Sequence, residues 1–149
     1  MKTFIVDIQE IKIAVDIVAI CIKDNNKFLL LVRRKYAPFR ERWALPGGFI
    51  KNDEDLKTAA LRELKEETGF DKVNDIKQIQ TYGNPNRDPR QRVISIAYLL
   101  TTDEFGNISP LDDAINDTIA AQWHNLNQLP TPLAFDHDVI LKDALLKLD

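Results

Sequence analysis

Three glutamates, Glu63, Glu66 and Glu67, fall within five consecutive positions of the stretch GGFIKNDEDLKTAALRELKEETGF, residues 47–70. On a helix, residues three and four apart project from one face, so these carboxylates would stand together. Like charges repel, and near a helix C-terminus the dipole disfavours each one by roughly a few tenths of a kcal/mol. Lys65 lies between them in sequence but points elsewhere, so nothing on the helix is expected to neutralise the cluster directly. Two readings follow. The face is either solvated, as charge runs usually are, or it holds a divalent cation. Clustered carboxylate oxygens suit Mg2+, with Mn2+ able to substitute, because both prefer hard oxygen ligands and retain waters and substrate phosphates. No Ser-His-Asp or Cys-His set suggests a covalent route, and His124 and His137 stand isolated, each reading as a surface or core residue.

The elements that must position these groups can be read from periodicity. Between Asp53 and Thr68 there is no Pro or Gly, and Leu56, Ala60, Leu61 and Leu64 recur at helical spacing, which predicts a helix with one apolar stripe. Asn52 or Asp53 is expected to cap its start, and Gly69 sits where a left-handed C-terminal residue belongs. The β-branched run at 11–23, the turn KDNNK and the run at 28–34 predict a hairpin. WALPGG predicts a short strand entering a glycine turn, in which Gly47 and Gly48 allow the tight bend into the helix. Residues 72–83, 91–102 and 118–126 predict further strands, with an acidic loop at 103–117. Residues 135–148 predict an amphipathic helix. The expected class is α+β, a mixed sheet sandwiched between helices (α/β/α), in one domain over 1–149.

Composition excludes several classes. The net charge of -3 and the lack of a basic stripe argue against nucleic acid or an acidic membrane surface as partner. Asp7, Glu10 and Asp16 interrupt the apolar N-terminal run, so neither a signal peptide nor a membrane span is expected. The single cysteine, Cys21, reads as a buried small hydrophobe. These features predict a cytoplasmic protein.

The stretch resembles the signature of the Nudix hydrolases, which cleave nucleoside diphosphates linked to another moiety. The family pattern, Gly, five residues, Glu, seven residues, Arg-Glu-aliphatic-any-Glu-Glu-any-Gly-aliphatic, reads here as Gly48, Glu54, Arg62, Glu63, Leu64, Glu66, Glu67, Gly69 and Phe70. The resemblance implies that Glu63, Glu66 and Glu67 hold Mg2+, with Glu63 and Glu66 taking part in catalysis. It implies that Arg62 orients a glutamate and that a base lies in a loop outside the signature. The acidic loop offers Glu104, Asp112, Asp113 and Asp117, and Asp117 sits where related sequences place an acidic residue.

Flanking residues narrow the substrate by the same resemblance. Pro85 stands fifteen positions after Phe70, a marker of the ADP-ribose pyrophosphatase group. The stretches YGNPNRDPRQRVISIAYLL and LVRRKYAPFRERWALPGGF are similar to that group, with Gly48 at the close of the second. Arg34, Arg42, Arg90 and Arg92 in them are expected to bind substrate together with Gly48 and Pro85, since a guanidinium grips phosphate bidentately. Arg33 and Arg87 are further candidates, and RDPR could equally be a loop in which Asp88 and Arg90 pair. Tyr36, Phe39, Trp43 or Tyr82 could stack on adenine. The expected activity is Mg2+-dependent cleavage of ADP-ribose to AMP and ribose 5-phosphate. The alternatives are another nucleotide, such as an oxidised triphosphate or a nucleotide sugar, and a non-catalytic ADP-ribose sensor. A homodimer is implied by resemblance alone.

Overall fold

A computed structural model describes residues 8–111 and 117–148. Its longest strand, β1 (Lys12–Lys23), is buried on both faces for most of its length, which explains its nearly continuous apolar sequence. Asp24 and Asn25 turn the chain with φ of 51° and 65°. Such left-handed pairs suit a two-residue hairpin, and β2 (Asn26–Arg34) returns antiparallel, with Lys23 opposite Asn26. β3 (Trp43–Ala44) and β4 (Gly47–Phe49) are short. β5 (Asp75–Tyr82), β6 (Val93–Thr102) and β7 (Thr118–Asn125) complete a seven-stranded mixed sheet.

The central pair, β1 and β6, is parallel over ten registered positions from Lys12–Val93 to Cys21–Thr102. The other edge of β1 is shared. Its C-terminal part pairs with β2, its N-terminal part pairs with β4 from Ala14–Phe49 to Asp16–Gly47, and between them the Ile17 N–H donates to the Pro46 carbonyl. β2 leaves β1 after Leu29 and pairs onward with β3 and β7. A cleft opens where the two strands part.

Alternation along β1 sends side chains to two cores. Val15, Ile17 and Ala19 meet Ala59, Ala60 and Leu64 of α1 (Leu56–Thr68), while Val18 and Ile20 meet Ile140, Leu141 and Ala144 of α2 (His137–Leu145). The sheet is thus sandwiched between two helices, as expected. Gly69 ends α1 at φ 75°, its N–H on the Lys65 carbonyl, and a Cβ there would lie 2.4 Å from the Ser109 oxygen. The helix begins later than the sequence suggests, with Asp55 rather than Asn52 or Asp53 at the N-cap. Residues 51–54 instead close a turn, in which the Glu54 N–H donates to the Lys51 carbonyl and the Glu54 carboxylate accepts the Lys51 N–H. Among the described residues no helix is long and apolar enough to cross a membrane. Asp112 and Asp113 of the acidic loop lie outside the described residues.

Candidate active site

α1 carries its glutamates to the cleft between β1 and β2, a hollow of about 280 Å3. Glu63, Glu66 and Glu67 line it together with Gly48. The absence of a side chain at Gly48 is required by close approach, since a Cβ there would sit 2.6 Å from the Glu63 carboxyl carbon. Arg34 and Arg90 line the cleft as well, and Asp117 enters at the foot of β7. The acidic loop is tied to the end of α1, where Ser109 N–H donates to the Thr68 carbonyl and Leu111 N–H to that of Glu66.

The expectation that nothing on the helix neutralises the glutamates is corrected here. Arg62, on the same helix, forks across two of them and across Glu54, which precedes the helix. Its Nε lies 2.5 Å from Glu54 Oε2, and its Nη1 lies 2.8 Å from Glu63 Oε1 and 3.2 Å from Glu66 Oε2. Its Nη2 also donates to the Phe49 carbonyl. The hydrogen bond from Arg62 holds Glu54 down to a pKa of about 2. Glu63 goes the other way, because burial outweighs the Arg62 contact and raises it. With Arg62 standing on Glu63 and Glu66, among the described residues no three acidic, His or Cys side chains converge on one point.

Glu67 tests whether a cation fits. It is only 8% exposed, and its one hydrogen bond among the described residues is a 3.3 Å contact from the Gly47 N–H. Burial first, then the charge of Glu63, raises its pKa well above the ordinary value. A buried carboxylate with so little compensation is costly unless a positive charge joins it. The Glu67 carboxylate is a hard oxygen donor of the kind Mg2+ and Mn2+ take, and Glu63 and Glu66 line the same cleft.

The arginines of the cleft are pre-set. Arg34 donates through Nε to the Pro38 carbonyl at 2.7 Å, and its guanidinium lies 4.9 Å from the Phe135 ring centre. Burial, then the neighbouring Arg90 charge, lowers its pKa. Arg90 is gripped by Asp88 through Nε at 3.0 Å and Nη2 at 2.7 Å, and it stands 5.7 Å from the same ring. Asp88 and Arg90 do pair, and both also face the cleft.

Other expected residues are not brought together. Arg42, Pro85 and Arg92 do not line the cleft; Arg42 stands over Phe39, Pro85 is exposed, and Arg92 donates to the Gly83 carbonyl. Of the aromatic candidates, Tyr82 is buried with its hydroxyl on Asp143, and Trp43 packs edge-on against His124. The cleft also holds residues that, Arg87 apart, the sequence did not single out for it. His137, read as isolated, is buried there. Its Nδ1 accepts the Leu45 N–H at 2.9 Å, which leaves its proton on Nε2, 3.4 Å from Asp16 Oδ1. Ser95 donates its hydroxyl to Asp16, and Arg87, bidentate on Asp136, lies 3.7 Å from the same carboxylate. A charged residue inside the apolar run of β1 was the one available signal.

The NUDIX domain model matches residues 12–144. The chain is 44% identical over 133 residues to an ADP-ribose pyrophosphatase of Methanocaldococcus jannaschii, spanning 89% of this chain and 73% of that one. It is 32% identical over 138 residues to an ADPR responsive transcriptional repressor, NtrR, of Acinetobacter baylyi, of which it spans 53%. Its fold superposes on the NUDIX domain of Shewanella oneidensis NrtR complexed with ADP ribose, with a TM-score of 0.84 and 31% identity over 95% of this chain and 91% of that one. A MutT/nudix family protein from Enterococcus faecalis gives a TM-score of 0.86 at 28% identity, covering 98% of this chain and 65% of that one. The acidic helix, the cleft it faces and a match over most of the length agree: the chain belongs to the Nudix hydrolase family.

Proposed function

We propose that this chain hydrolyses the diphosphate bond of ADP-ribose, giving AMP and ribose 5-phosphate, with Mg2+ held by Glu63, Glu66 and Glu67 and Mn2+ able to replace it. The observation that carries this reading is that three glutamates and the two arginines Arg34 and Arg90 line one cleft. A diphosphate placed there meets both the arginines and the metal. When bound, the metal supplies positive charge against the diphosphate and makes water more acidic.

The chain's own residues do the rest. Arg34 and Arg90 grip phosphoryl oxygens and hold the diphosphate in place. Arg62 fixes the rotamers of Glu63 and Glu66. Gly48 leaves the room that Glu63 needs. Asp117 accepts the proton of the attacking water. The water oxygen bonds to one phosphorus, and the bridging oxygen leaves with the other phosphate. Arg42, Pro85 and Arg92 have no contact with the diphosphate in this reading. The names of the relatives support ADP-ribose as the ligand: one is a pyrophosphatase for it and another is a repressor responsive to it. The protein acts in the cytoplasm, and a homodimer follows from the resemblance.

The purified protein with Mg2+ should be assayed against ADP-ribose, an oxidised dGTP and a nucleotide sugar. ADP-ribose should be turned over fastest, releasing AMP. Turnover of another member of the panel while ADP-ribose is spared refutes the substrate. Tight binding of ADP-ribose with no release of AMP points instead to a sensor.

A further inference from the structure

Between the short strands β3 and β4 the chain is tied down residue by residue. The Leu45 N–H donates to His137 Nδ1 at 2.9 Å, the Pro46 carbonyl accepts the Ile17 N–H at 2.8 Å, and the Gly47 N–H reaches Glu67 Oε2 at 3.3 Å. The first link comes from α2 and the last goes to α1, so segment 45–47 joins the two helices that flank the sheet. Gly47 packs against β1 too closely for a side chain. It stands opposite Asp16, and a Cβ on it would lie 2.2 Å from the Val15 oxygen and 2.5 Å from Asp16 Oδ1. Asp16 in turn accepts the Ser95 hydroxyl, and the other ring nitrogen of His137, Nε2, stands 3.4 Å from Asp16 Oδ1. The imidazole therefore spans from a carboxylate on β1 to the backbone that leads to Glu67.

We infer that His137 is a positioning residue for the metal site: by holding the Leu45 N–H it fixes segment 45–47, which presents the Gly47 N–H to Glu67 and keeps that carboxylate in place for a divalent cation. The inference rests on the reading of Glu67 as a metal ligand given above. His137 is only 4% exposed, so the bond it accepts is sheltered from competing water. Its Nδ1 can accept only while it carries no proton. Burial lowers the His137 pKa against the pull of Asp16 and Asp136, which keeps the ring neutral near pH 7. The one ring proton then sits on Nε2 and faces Asp16. Loss of the acceptor leaves the Leu45 N–H buried without a partner, and the segment must move to satisfy it. Groups that stand behind metal ligands change metal affinity by roughly 10–100-fold when they are lost. A role in packing alone would make the size of the side chain at 137 matter. The positioning role makes the acceptor facing Leu45 matter.

Two polar variants of similar size separate these roles. His137→Asn carries Oδ1 at the same remove from Cβ as Nδ1, so it still accepts the Leu45 N–H. His137→Gln reaches towards Asp16 and offers no acceptor at that place. His137→Phe, which fills the volume of the ring without an acceptor, stands in for the glutamine variant should that one fail to fold. Amide exchange is followed by NMR in a chelator, and Mn2+ is titrated into each protein without substrate, with the free ion read by electron paramagnetic resonance. In His137→Gln the Gly47 amide should exchange about fivefold faster, the effect of one lost hydrogen bond, while Leu141 and Ala144 of α2 exchange as in the wild type. Its Mn2+ affinity should fall about tenfold or more. His137→Asn should stay close to the wild type in both measurements. Equal losses in the two variants overturn the inference, as does an unchanged Gly47 amide or an acceleration that Leu141 and Ala144 share. A wild type that binds no Mn2+ refutes the proposed metal site instead, and the Gly47 exchange in the chelator then decides the role of His137 by itself.

Discussion

Replacing Glu67 by Gln should stabilise the metal-free protein and disable the metal-loaded one. The substitution keeps the size of the side chain and an oxygen to accept the Gly47 N–H, and it removes the charge. Burial, then the charge of Glu63, raises the folded-state pKa of Glu67 well above 4.5. The unfolded chain has no such environment, so it gives up this proton at lower pH than the folded chain does. Over the interval between the two values the folded state holds one proton more, and stability falls as pH rises, by up to about 1.4 kcal/mol per pH unit. The contribution is fully present below the unfolded value and is lost as pH passes the folded one. Gln has nothing to titrate, so its curve should lack that slope. Glu63 is also raised, mainly by burial, which is common to both proteins, so only its coupling to Glu67 enters the difference. Urea denaturation in the presence of a chelator, repeated from acid to neutral pH, measures the two slopes. Added Mg2+ should reverse the order. A cation that binds only the folded wild type stabilises it by about 2.7 kcal/mol at roughly 100 times its Kd, and Glu67→Gln should lose most of that gain. Equal pH slopes, or equal Mg2+ shifts, would refute the view of Glu67 as a buried charge awaiting a cation.

Other substitutions separate packing from chemistry. Arg62→Lys should cut kcat by about tenfold or more with little change in Tm, because one ammonium cannot fork across Glu54, Glu63 and Glu66 as the guanidinium does; steady-state kinetics on ADP-ribose reads it. Gly48→Ala should also lower turnover by at least about tenfold, a loss comparable to misplacing a catalytic group by about 1 Å, by pushing the Glu63 carboxylate aside, while thermal melting barely moves, since the colliding atoms end a flexible side chain. Leu64→Ala, in the core between α1 and the sheet, should cost about 2–5 kcal/mol in chemical denaturation.

The sequence makes local features legible. The apolar stripe Leu56, Ala60, Leu61 and Leu64 does face the sheet, and Gly69 does close the helix in a left-handed conformation. The Asp24–Asn25 turn sits where KDNNK placed it. These signals lie within a few residues of one another, so periodicity and turn chemistry suffice. The start of α1 is harder to place, because Asn52, Asp53 and Asp55 are all chemically able to cap. The choice is settled by the turn at 51–54, which brings Glu54 to Arg62 eight residues away. The resemblance implies that Arg62 orients a glutamate; that it also holds Glu54, outside the helix that carries it, depends on the same turn.

The rest of the cleft depends on pairings between distant segments. Asp16 sits in a strand that is apolar on both sides and reads merely as an interruption. His137 lies on the terminal helix, and Arg87 lies in a loop between two strands. They meet because the parallel pairing of β1 with β6 sets Ser95 near Asp16, and because α2 crosses the sheet on the face to which Asp16 points. The contact of His137 with the Leu45 N–H spans 92 positions in sequence. That bond steadies the segment leading to Gly47 and Gly48, on which Glu67 and Glu63 rest. The signature helix therefore supplies the acids, and the rest of the fold decides where they stand. A chain could keep every signature residue and still lose its catalytic geometry if α2 were displaced.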